Sequence, residues 1–67
     1  MSENIIEGIQ RQCDRVREIL DLYERYPGGR FAAMMMRQSI KNAEAAIASG
    51  DVIAMIGAYK DLEEYSE

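Results

Sequence analysis

Residues 2–29 read SENIIEGIQRQCDRVREILDLYERYPGG, and the fold turns on whether this run is a helix that needs a partner. Its apolar positions Ile6, Ile9, Cys13, Val16, Leu20 and Tyr23 alternate spacings of three and four residues. That is the pattern of a helix packed against another helix. The spacing predicts a helix from Ser2 to Tyr26, N-capped by Ser2, with Glu3 and Glu7 near the positive end of its dipole. Pro27, Gly28 and Gly29 end it. Three heptads suit a bundle face as well as a short coiled coil.

Outward from the turn, Ala33, Met36, Ile40, Ala43 and Ile47 repeat the spacing and predict a second helix from Arg30 to Ser49, its alanines small enough to let a neighbour approach closely. Gly50 then suits a left-handed C-terminal position and Asp51 a new N-cap, so a third helix is expected over Val52–Glu64. Its apolar face is Val52, Met55, Ile56, Tyr59 and Leu62, and it leads into an acidic tail of Asp61, Glu63, Glu64 and Glu67. Short turns between long helices give antiparallel neighbours. The expected fold is all-α, one helical domain over residues 1–67: an antiparallel hairpin with a shorter third helix folded back across its open end.

A chain of 67 residues buries only about 60% of its unfolded surface, and domains this small are usually reinforced by disulfides, a metal or a partner subunit. One cysteine and no histidine leave self-association as the expected reinforcement, with no metal and no cofactor implied. Two hairpins face to face would give a four-helix core of Ile6, Ile9, Cys13, Val16, Leu20, Tyr23, Met36, Ile40 and Ile47; a homodimer is the leading expectation, with higher oligomers the alternative. The polar, acidic start MSENIIEGIQ is unlike a secretory signal, and no apolar run reaches the ~20 residues of a membrane span. The expectation is a cytoplasmic protein.

Without histidine, paired cysteines or a phosphate-loop glycine spacing, the usual catalytic constellations cannot be assembled, and no enzyme is expected. Most carboxylates sit near arginines at helical spacing, as in Glu7 with Arg11, Asp14 with Arg17 and Asp21 with Arg25, a pattern of solvated faces. One asymmetry stands out. Between Arg25 and Lys41 lie four bases, Arg25, Arg30, Arg37 and Lys41, and no acid, within a chain of net charge −4.

Arg30, Arg37 and Lys41 fall within about 40° of one another around the second helix, beside its apolar face, with Glu44 at the edge as a partial counter-charge. An arginine in the first turn of a helix is unfavourable unless a negative group is near. Three readings follow: a solvated arginine after a plain Gly28-Gly29 turn, a contact with the acidic tail of a second subunit, or an anionic ligand. Met36 fits the core and Met34 the border of the basic stripe, with methionine's usual role as adaptable filler. Tyr26 and Phe31 either staple the turn shut or stack on a base. Cys13 reads as a small buried hydrophobe. Nucleic acid is a poor partner for a net charge of −4.

The stretch YERYPGGRFAAMMMRQSIKNAEAAIASGDVIAMIGAYKDLEEY resembles a group of short accessory proteins of tailed phages and prophages of Gram-negative bacteria. They share an aromatic-x-x-x-Pro-x-Gly-x-Phe turn, an Ala-rich helix, and AIASGDVxAM before a final aromatic-containing helix. Matching positions are Pro27, Gly29, Phe31, Ala43 to Asp51, Met55, Tyr59 and Leu62, over about two-thirds of the chain. The resemblance implies a non-catalytic accessory protein in a bacterial host cell, acting by stoichiometric binding to a host protein in host takeover or counter-defence. The candidate contact is Tyr26, Gly28, Gly29, Arg30, Phe31, Met34, Arg37 and Lys41. The alternative for the same residues is a sponge for an anionic nucleotide at a subunit junction.

Overall fold

The computed structural model describes residues 3–66 and is all-α: α1 (Ile5–Glu24), a 3-10 turn (Pro27–Gly29), α2 (Arg30–Ser49) and α3 (Val52–Glu63). Helix α1 begins later than its periodicity suggests because Asn4 caps it. The Asn4 side chain accepts from the Glu7 N–H at 2.8 Å, and the Glu7 carboxylate accepts from the Asn4 N–H at 3.2 Å, a reciprocal capping box. Glu7 is therefore not the partner of Arg11, and Ser2, the expected cap, lies outside the described residues. At the far end α1 stops at Glu24, two residues short of Tyr26, where the chain turns toward Pro27.

The junction of α2 and α3 follows the sequence reading. Gly50 is left-handed at φ 72° and donates to the Ile47 carbonyl at 3.2 Å. Asp51 then caps α3 by accepting from the Ile53 and Ala54 N–H groups at 3.0 and 3.2 Å.

All three helices pack against one another. Rather than lying across the open end of the hairpin, α3 runs up its side. Tyr59 reaches Arg11 and Tyr65 reaches Ser39, so the end of α3 lies near mid-height of the longer helices. At 12 residues against 20 for α1 and α2, it covers roughly 18 Å of a hairpin about 30 Å long.

The core is built within one chain. Ile9, Cys13, Val16, Met36 and Ile40, expected at an oligomer interface, are all buried by their own subunit, together with Ile19, Ala43, Ala46, Met55 and Leu62. Leu20, Tyr23 and Ile47 are half-buried. Ile6 instead faces solvent, because the seam of α1 is rotated toward Ile5, Gln12 and Ile19. On α3, Val52 and Ile56 are also exposed and Leu62 is buried.

Three polar ties fix α3 in place. Arg15 donates to the carbonyls of Leu62 and Tyr65, both at 2.7 Å, and to Gln12 Oε1 at 2.8 Å. Its charge lies where the last carbonyls of a helix lack intrahelical partners. The Tyr65 hydroxyl and Ser39 Oγ are 2.8 Å apart. A second arginine, Arg11, grips Glu3 through Nε and Nη2 at 3.0 and 3.1 Å and donates to the Tyr59 hydroxyl at 3.0 Å.

Candidate functional site

The hairpin tip owes its shape to Gly29. A Cβ on this residue would lie 2.3 Å from the Tyr23 carbonyl oxygen, so only glycine lets the start of α2 close on the end of α1. Gly28 has no such neighbour. Its role is limited to the turn itself, in which the Gly29 N–H donates to the Tyr26 carbonyl at 3.0 Å.

Tyr26 and Phe31 do not staple this turn. They are 66% and 70% exposed. Met34, Met35 and Leu22 are exposed beside them. Five of the nine exposed large hydrophobics among the described residues thus gather at one end of the molecule, an excess over the scattered singles usual on a monomer. Tyr26, Gly28 and Gly29 line a shallow hollow of about 340 Å³ with Leu22 and Tyr23.

Next to the tip, Arg30, Met34 and Arg37 meet Ala33 and Glu24 around a second hollow of about 400 Å³. Met34 borders the basic stripe as expected. The counter-charge differs: Arg37 is engaged by Glu24, whereas Glu44 pairs with Arg17 at 3.2 Å. Arg17 also holds Asp14 at 3.2 Å and Arg25 holds Asp21 at 2.9 Å. Arg30 and Lys41 form no ion pair among the described residues, and neither do Asp61, Glu63 and Glu64. Glu67 of the acidic tail lies outside the described residues.

The hollow at Arg30 and Arg37 continues along the α1–α2 seam. It shares Arg37 with a hollow lined by Arg17, Leu20, Ile40, Lys41 and Glu44. That hollow shares Arg17 and Glu44 with a third, where Gln10, Cys13, Asp14 and Ile47 complete the lining. The eight candidate contact residues thus form two adjoining regions, an apolar tip and a charged groove. Cys13 borders the groove from below, and burial pushes its thiol above the ordinary range, which suits a buried apolar group better than a nucleophile.

Residues the periodicity passed over are Gln12, Arg15, Ser39 and Tyr65, the ties of α3. Gln12 is three residues after Ile9 and Ser39 three after Met36, so both face inward by spacing and were hidden only by their polarity. Every buried side-chain nitrogen and oxygen among the described residues has a hydrogen-bond partner. No helix of the described residues is long and apolar enough to cross a membrane. No protein-family model, curated protein or solved structure matches the chain.

Proposed function

We propose that this chain is a non-catalytic binding module of the phage accessory type, which attaches stoichiometrically to a protein of its bacterial host through the hairpin tip. One observation carries the reading: Tyr26 and Phe31 are held out in solvent on a turn whose close approach to α1 only glycine at position 29 permits. Exposed aromatic side chains on a fixed backbone lose little entropy on binding, and tyrosine and arginine are enriched among the residues that dominate interface energies. Met34 and Met35 add an adaptable apolar surface, and Arg30, without an ion-pair partner among the described residues, adds a charge for an acidic rim. Such a module acts by occupying a surface needed by the host, in takeover or counter-defence.

The nucleotide reading has weaker support. Arg37 already faces Glu24, so a phosphate there would have to displace a carboxylate or be repelled by it.

The test compares tagged wild type with Tyr26→Ser/Phe31→Ser in host lysate. Both side chains are exposed, so the variant keeps its helical circular dichroism. The expected result is a host protein retained near one-to-one by wild type and lost by the variant. Equal retention by both, or none by either, sinks the tip assignment. A nucleotide-sized mass on wild type in native mass spectrometry, lost in Arg30→Ala/Arg37→Ala, replaces it with the sponge.

A further inference from the structure

On the side of the hairpin away from α3, no third helix covers the groove of Arg17, Leu20, Arg37, Ile40, Lys41 and Glu44. The uncovered hairpin face measures about 30 Å by 20 Å.

The charges along this face run in order. From its N-terminus α2 presents Arg30, Arg37 and Lys41, then Glu44, and Asp51 follows beyond its end. A row that is basic at one end and acidic at the other complements itself when reversed. Laid antiparallel about a two-fold axis at the Ile40–Lys41 step, Arg37 faces the second copy's Glu44. Lys41 then lies opposite the second copy's Ile40, one turn from the second copy's Glu44. A parallel arrangement that set α2 on the second copy's α2 would oppose Arg30, Arg37 and Lys41 to their own counterparts and be repelled.

We propose that the α1–α2 face is covered in solution by a second copy of this chain, antiparallel about that axis, with the half-buried Leu20 and Ile47 as the apolar contacts between them. This surface is separate from the tip, and the proposal stands whether or not the tip binds a host protein. The ion pairs within each chain that must yield, Arg17 with Glu44 and Arg37 with Glu24, are at least two-fifths exposed at every side chain, so exchanging partners costs little. Two faces of about 600 Å² each bury about 1,200 Å², the lower end of the range for specific interfaces.

Sedimentation equilibrium on four chains tests it: wild type, Arg37→Glu, Glu44→Lys, and the double reversal. Both positions are exposed, and circular dichroism checks that each variant is folded. Wild type dimerises, each single reversal raises the dissociation constant about tenfold, and the double reversal returns it to within about threefold. Within a chain the double variant still sets like charges against Glu24 and Arg17, so recovery can come only from pairing between copies. A wild-type monomer up to about 1 mM overturns the proposal. So does a dimer indifferent to the single reversals, or one that the double reversal fails to restore.

Discussion

Replacing Gly29 by alanine tests the close approach on which the tip depends. The new Cβ would sit 2.3 Å from the Tyr23 carbonyl oxygen and 3.1 Å from its carbon. Ordinary contacts of this kind begin near 3.2–3.4 Å, so the backbones must part by about 1 Å, and overpacking of this order costs about 3 kcal/mol. A domain of this length has about 3–10 kcal/mol in all, so the loss is a large fraction of the whole. At about 4–8 °C per kcal/mol, Gly29→Ala should lower the melting temperature by well over 10 °C. Gly28→Ala is the internal control, since its Cβ meets nothing within 4 Å and Gly50 is the only positive-φ residue among those described. Restricting the unfolded chain there stabilises by about 0.4–1 kcal/mol. Circular dichroism at the helical minimum, in thermal and urea unfolding, reads both. If Gly29→Ala melts with wild type, or Gly28→Ala falls as far as Gly29→Ala, the close approach does not set the tip.

Other perturbations reach the rest of the molecule. Leu62→Ala, at a fully buried position, should cost about 3 kcal/mol in urea unfolding, whereas Ile53→Ala, 82% exposed, should stay within about 0.5 kcal/mol; similar costs at both would mean that α3 packs by another face. Arg15→Ala strips the Leu62 and Tyr65 carbonyls of their donor, at about 1–2 kcal/mol. Hydrogen exchange should then quicken in the last turn of α3 before it does in α1 or α2, and uniform acceleration would contradict the tie. The hydrogen bond and charge of Arg11 hold the Glu3 carboxyl below its ordinary range. A carboxyl depressed on folding contributes stability that is fully present above its unfolded value and is lost as pH falls through its folded one. Arg11→Gln should therefore raise the Glu3 titration seen by NMR, and the stability difference from wild type should shrink in acid; an unmoved titration would show that the pair does not form in solution.

Helix type and count were legible because α1 and α2 each carry about five turns of regular spacing, and because Pro27, Gly50 and Asp51 act through backbone chemistry that needs no tertiary context. The boundary at Asn4 was legible too: Asn4 followed three residues later by Glu7 is a capping-box spacing, overshadowed by Ser2. What the sequence did not reveal was how α1 is rotated. A seam served by one neighbour would centre on Ile6, Ile9 and Cys13, but two neighbours widen it to take in Gln12 and Ile19. On α3, Met55 and Leu62 are buried as their spacing predicts, whereas Val52 and Ile56 of the same expected face are exposed. At the site, the clustering of bases and the position of Met34 followed from helix geometry alone. The exposure of Tyr26 and Phe31 did not, and neither did the close approach of Gly29 to Tyr23, which no spacing rule contains. Nor did the pairing of Glu24 with Arg37, which spans the hairpin.

The two connections in this bundle, residues 25–29 and 50–51, matter for time as well as shape. Helix α2 docks on α1, and α3 on the pair already formed, so each new contact closes only a short loop and little loop entropy is lost. Bundles closed by such local contacts fold in microseconds to milliseconds. A ribosome adding 5–20 residues per second takes about 50–200 ms for one residue. Once released, a molecule with these turns completes its fold in less time than its own synthesis needed for a single step.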